Sequence, residues 1–154
     1  MAFSTTLWEW YGQDEHKRVL SVCGAIEGLT VLASSADVQR NTIPDCPACE
    51  VWSASMLPVN EVLTVCGSAM PRDVRAQLQQ VWALCDSLPE TAFLCHDQEI
   101  FYRIEWQAIR HAAAQALELI EVVKLTPYLD ELMSYCSDAV RGLKGRDRGT
   151  PFEY

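Results

Sequence analysis

Cys46-Pro47-Ala48-Cys49 sets two thiols two residues apart, the one cysteine spacing in this chain that metal or disulfide chemistry recognises. Thiolates so placed turn toward a single metal ion or exchange a disulfide. Three readings stay open. A structural zinc site needs two further ligands, which Cys66, Cys95 or His96 supply only if the fold brings them close, and no second paired motif is present. A thioredoxin-like redox motif belongs at a helix start after a strand, whereas Pro44 and Asp45 precede this pair and Trp52 follows it. The simplest reading is two unligated thiols in a loop, with neither metal nor cofactor bound. The other cysteines, Cys23, Cys66, Cys85 and Cys136 in particular, sit among apolar neighbours and read as small core residues in a reducing compartment.

The remaining candidates for chemistry are weaker. The three histidines do not pair at metal-ligand spacing: His16 lies in a charged run and reads as solvated, His111 falls on a long helix, and His96 stands between Cys95 and Asp97. Adjacent residues usually diverge in space, so Cys95-His96 is poor support for a nucleophile and its base. Asp97-Gln98-Glu99 fits a helix start better than a metal-dependent nuclease, with Asp97 as cap and Glu99 favouring the dipole. A phosphate-binding glycine loop, a nucleophile elbow and a His-Glu-x-x-His helix are all absent from the sequence. No catalytic residue is therefore assigned, and the expectation is a protein that is not an enzyme.

Charge is more informative. Between Arg75 and Arg103 the chain runs through twenty-seven residues with no lysine or arginine, yet it carries Asp86, Glu90, Asp97 and Glu99 there. The formal net charge is -9, of which residues 1–70 and 71–143 each contribute -5 and residues 144–154 contribute +1. A field of that sign repels nucleic acid and anionic membrane and favours a basic partner. Phe101, Tyr102 and Trp106 follow the acidic stretch, and aromatics beside carboxylates are the composition of a protein-binding hot spot facing an arginine-rich surface. The partner-binding set expected from sequence is Asp86, Glu90, Asp97, Glu99, Phe101, Tyr102 and Glu105.

These residues must be positioned by helices. Val74, Leu78, Val81, Trp82 and Cys85 recur at helical spacing after Pro71, predicting a helix from Pro71 to about Ser87. A second follows Asp97 and strengthens from Glu105 to Lys124 on a stripe of Trp106, Ile109, Ala113, Ala116, Leu117 and Ile120. A third begins at Thr126-Pro127, cap and first-turn proline, and ends near Gly142. Residues 19–33 fit a helix better than a hairpin, with Gly24 and Gly28 on one face where another helix can approach. Residues 41–57, with two prolines, read as an irregular connection, and Asn60–Cys66 as a short helix closed by Gly67. The fold expected is a compact all-α bundle of about five or six helices over residues 1–143, with a minor two-stranded element near 19–33 or 50–66 as the alternative, and a flexible tail over 144–154.

No stretch reaches the roughly twenty apolar residues of a membrane helix, and the N-terminus reaches Glu9 without a basic residue, so the protein is expected in the cytoplasm. The small, acidic, motif-poor profile is similar to two kinds of bacterial or phage protein, toxin immunity proteins and anti-CRISPR proteins, although no residue motif carries the likeness. It implies stoichiometric inhibition: carboxylates occupy the groove where a nuclease, toxin or nucleic-acid-binding complex holds phosphates. A homodimer is the further expectation if the glycine face or the N-terminal aromatics stay uncovered. The alternative function is a small zinc-stabilised or thiol-active module built on Cys46 and Cys49.

Overall fold

The computed structural model describes residues 3–43 and 46–142, and every regular element among them is helical. Seven helices follow in order: α1 (Phe3–Gly12), α2 (His16–Ala33), α3 (Ala36–Thr42), α4, α5 (Arg72–Asp86), α6 (Ile104–Ile120) and α7 (Leu129–Val140). Helix α4 is composite, running Pro47–Val51, then a π-helical turn Trp52–Met56, then Leu57–Cys66. The tail expected at 144–154 lies outside the described residues, and no single helix among those described is long and apolar enough to cross a membrane.

Helix α2 forms because Val19, Val22, Cys23, Ile26, Leu29 and Leu32 recur every three or four residues, and all six are buried. Helices α1, α4, α6 and α7 pack around it. Each large apolar side chain fully buried in this way contributes roughly 1.5–3 kcal/mol of transfer free energy, which offsets the ordering of the chain around it. The hairpin considered for this segment is not formed. Its two glycines also differ from expectation. A Cβ on Gly28 would lie 2.5 Å from the Ser55 carbonyl oxygen of α4, whereas one on Gly24 would meet no heavy atom within 4 Å. Only Gly28 marks a close helix approach.

The irregular connection expected at 41–57 is a second departure. Helix α3 continues to Thr42, and α4 starts at Pro47, whose missing N–H and fixed φ suit a first helical position. Pro58 does not break α4 because the chain widens just before it: the Leu57 N–H bonds to the Trp52 carbonyl, five residues back. Helices α1 and α3 bring the number above the five or six expected, and neither strand alternative is present among the described residues. Helix α1 rests on Phe3, Leu7 and Trp10, one stripe at helical spacing that buries against the core.

Farther along, α5 and α6 follow the apolar stripes that predict them, with Val74, Leu78, Val81 and Cys85 buried on one and Trp106, Ile109, Ala113, Ala116 and Ile120 on the other. Cys23, Cys66, Cys85 and Cys136 are core residues, and burial pushes the Cys23 and Cys85 thiols up to about 12. His16 is not solvated: its side chain is 19% exposed and packs edge-on against Tyr135.

Helix α6 ends earlier than Lys124. Glu121 takes the left-handed conformation with φ 64°, and a helical turn Val122–Leu125 and a 3-10 turn Thr126–Tyr128 follow. Thr126 consequently does not cap α7, and its hydroxyl donates to the Val122 carbonyl at 2.7 Å. The Glu121 carboxylate accepts from the Ser4 hydroxyl at 2.6 Å, the Ser4 N–H at 3.3 Å and Lys124 Nζ at 2.9 Å, which ties the start of α1 to the break.

Those donors hold the Glu121 carboxyl at about 2, below its ordinary 4.5. A depressed carboxylate stabilises the fold above its unfolded value and loses that contribution as pH falls through the folded one. Glu121→Gln is therefore expected to lower the urea midpoint near neutral pH, with the gap from wild type narrowing below about pH 4.5. The glycines provide a paired test in urea unfolding. Gly28→Ala is expected to cost about 1–3 kcal/mol by overpacking, and Gly24→Ala to stabilise by about 0.5–1 kcal/mol.

Candidate functional site

The twenty-seven-residue interval without a base spans most of α5 and the whole connection from Ser87 to Tyr102. Two 3-10 turns, Glu90–Ala92 and Gln98–Tyr102, shape this connection, and Pro89 opens the first in an extended conformation. It is held from beneath by a few buried groups. The Trp106 indole N–H donates to the Ala92 carbonyl at 2.8 Å, and Ala92, Ile100 and Phe101 are buried. The Arg110 guanidinium donates at 3.0 Å to both the Phe101 carbonyl and Gln39 Oε1. Partial burial pushes the Arg110 group below its usual range. Gln39 in turn donates to the Val31 and Leu32 carbonyls at the end of α2, so the connection, α3 and α2 share one buried polar network.

The seven residues assigned to partner binding from sequence separate into distinct roles. Asp86, Glu90 and Asp97 are exposed and in no ion pair among the described residues. Asp97 also caps, accepting from the Glu99 N–H at 2.9 Å, but what it caps is the second 3-10 turn and not the long helix expected to follow it, since α6 starts only at Ile104. Glu99 is exposed but paired with Arg40 at 2.7 Å, and Glu105 is half-buried and paired with Arg103 at 3.3 Å. Tyr102 is exposed, its hydroxyl donating to the Asp37 carboxylate. Phe101 is the correction: it is 0% exposed, its ring 5.0 Å from that of Trp106, and it supports the surface instead of presenting itself.

Leu94 and Ile104 are exposed apolar residues on the same stretch that the sequence reading missed, Ile104 at 77%. The signal was available, because Ile104 falls outside the stripe that buries Trp106, Ile109 and Ala113.

The cysteines converge. Cys46 occupies the position just before α4 and Cys49 lies in its first turn, so the motif is at a helix start and not in a loop. Cys95 reaches them from the connection: the three Sγ atoms lie within 4.8 Å of one another, with Cys49 and Cys95 at 3.6 Å. Hydrogen bonds with Cys49 and Cys95 push the Cys46 thiol down, while those with Cys46 and Cys95 push Cys49 up to about 12. Of the other ligands the sequence offered, Cys66 is buried on α4 beside Ser21 Oγ at 3.6 Å, and His96 is exposed and outside the converging group. Beside the thiols is a shallow cleft of about 280 Å³ lined by Ala48, Cys49, Trp52, Phe93 and Cys95. Trp52 bridges it to α5, its ring 6.2 Å from Phe93 and 5.4 Å from Trp82.

No protein-family model, curated protein or solved structure matches the chain.

The Trp106–Ala92 hydrogen bond is the buried polar link beneath the first 3-10 turn. Trp106→Phe keeps most of the ring but strands the Ala92 carbonyl, and is expected to cost about 1–3 kcal/mol in chemical denaturation. Amide exchange is expected to quicken first within residues 90–103.

Proposed function

We propose that this chain is a non-enzymatic inhibitor that binds and neutralises a basic, nucleic-acid-acting protein, in the manner of toxin immunity proteins and anti-CRISPR proteins. One observation carries the reading: exposed Leu94 and Tyr102 stand on the same connection as Glu90 and Asp97, whose carboxylates form no ion pair among the described residues, with Asp86 just before it and exposed Ile104 just after it at the start of α6. Apolar side chains among uncompensated acids suit a partner whose surface offers arginines and a shallow apolar patch.

The mechanism is occlusion. Carboxylates take the places of phosphates in the partner's groove, and the net charge of -9 speeds encounter at low ionic strength. Tyr102, Leu94 and Ile104 then exclude water and slow dissociation. Asp86, Glu90 and Asp97 contribute most directly to attraction, since Glu99 and Glu105 must first exchange Arg40 and Arg103 for groups of the partner. Phe101 acts through packing, by fixing the backbone that presents Tyr102.

The test starts with capture of partners from source-cell lysate and continues with the purified pair. A basic protein bound at about 50 mM salt and released at about 500 mM is expected, its activity on nucleic acid falling to zero near one equivalent. Asp86→Lys combined with Glu90→Lys is expected to slow association at least about tenfold at low salt, with the difference fading at high salt. Glu61→Lys on α4 combined with Glu118→Lys on α6, an equal change of net charge at exposed positions outside the connection, is the matched control. A captured partner whose association is indifferent to the double reversal, or whose activity survives saturation, would refute the proposal.

A further inference from the structure

We infer that Cys46, Cys49 and Cys95 form a three-thiolate binding site for a zinc ion, which fastens the 87–103 connection to the start of α4. The inference stands apart from the inhibitor reading and holds whether or not the acidic connection binds a partner.

Geometry carries it. Zinc–sulfur bonds of about 2.3 Å at tetrahedral angles place neighbouring thiolates about 3.8 Å apart. Cys49 and Cys95 Sγ stand 3.6 Å apart, and the whole trio lies within 4.8 Å. The donors come from two elements distant in sequence, a helix start that supplies two thiols and a connection that supplies the third. Chance proximity in a core does not explain the trio, because none of these three cysteines is in the buried set that holds Cys23, Cys66, Cys85 and Cys136. Soft thiolate donors select zinc over magnesium or calcium. Three protein ligands leave a fourth tetrahedral position for water or an incoming donor.

Binding displaces the thiol protons, so affinity rises as pH rises and weakens in acid, and the ion stabilises the folded chain by mass action. The mechanical consequence is local. Between Ala92, held by Trp106, and Asp97, which caps the next turn, the metal adds an anchor at Cys95.

The test uses reduced full-length protein and Zn²⁺ alone, in competition with a chromogenic chelator. One equivalent is expected, with proton release, and Co²⁺ in its place is expected to show thiolate-to-metal charge transfer in the near ultraviolet. Cys46→Ser, Cys49→Ser and Cys95→Ser are each expected to weaken affinity at least about 100-fold, while Cys66→Ser leaves it within about threefold. Circular dichroism of each apo variant separates lost binding from lost folding, and wild type is expected to gain thermal stability with Zn²⁺ that folded Cys95→Ser does not. Absence of binding by reduced wild type, or equal binding by a folded Cys95→Ser variant, would overturn the inference.

Discussion

The close approach of α2 and α4 at Gly28 is the constraint on which the rest depends. With Ser55 oxygen 2.5 Å from where a Cβ would stand, the two backbones touch at a place only glycine permits. Ser55 belongs to the π-helical turn, so the same contact fixes how the first turns of α4 leave the core. Cys49 and Trp52 are consequently placed where the 87–103 connection crosses, and Cys95 and Phe93 meet them there. A backbone contact in the core thus determines which surface groups become neighbours.

The connection itself is held by few but directional interactions. Apolar burial of Ala92, Ile100 and Phe101 gives it adhesion, while the Trp106 indole and Arg110 guanidinium fix its register through backbone carbonyls. Its outward side is different in character: Glu99 and Tyr102 bind back to Arg40 and Asp37 of α3, and exposed ion pairs of that type contribute little, typically up to about 1 kcal/mol. A surface with a firm underside and weakly committed outer groups suits exchange of internal partners for external ones.

Much of this was legible in the sequence. Helices α5 and α6 announced themselves through Val74–Cys85 and Trp106–Ile120, because a helix with one buried face must repeat its apolar residues every three or four positions. Composition likewise identified the acidic connection. What could not be read were features set by tertiary contact. Pro47 looked like part of an irregular connection because a sequence does not reveal that it opens a helix, and Asn60–Cys66 looked like a separate short helix because nothing in it shows that a π turn joins it to the turns before. Phe101 looked like a surface aromatic because its neighbours are charged, yet the 3-10 turn directs it inward against Trp106. Cys95 is separated by 46 residues from Cys49, and only the packing of α4 against the connection joins them.

The 87–103 connection is proposed to be the surface that meets a basic partner. Amide hydrogen exchange, compared for the chain alone and saturated with a basic protein captured as above, decides whether it does. Protection is expected over residues 87–104 and around Asp37 and Arg40, with exchange unchanged at a second exposed apolar group, Trp8 and Tyr128, whose rings stand 5.4 Å apart. Protection centred instead on Trp8 and Tyr128, with the connection exchanging as freely as before, would contradict the proposal and place the docking surface elsewhere.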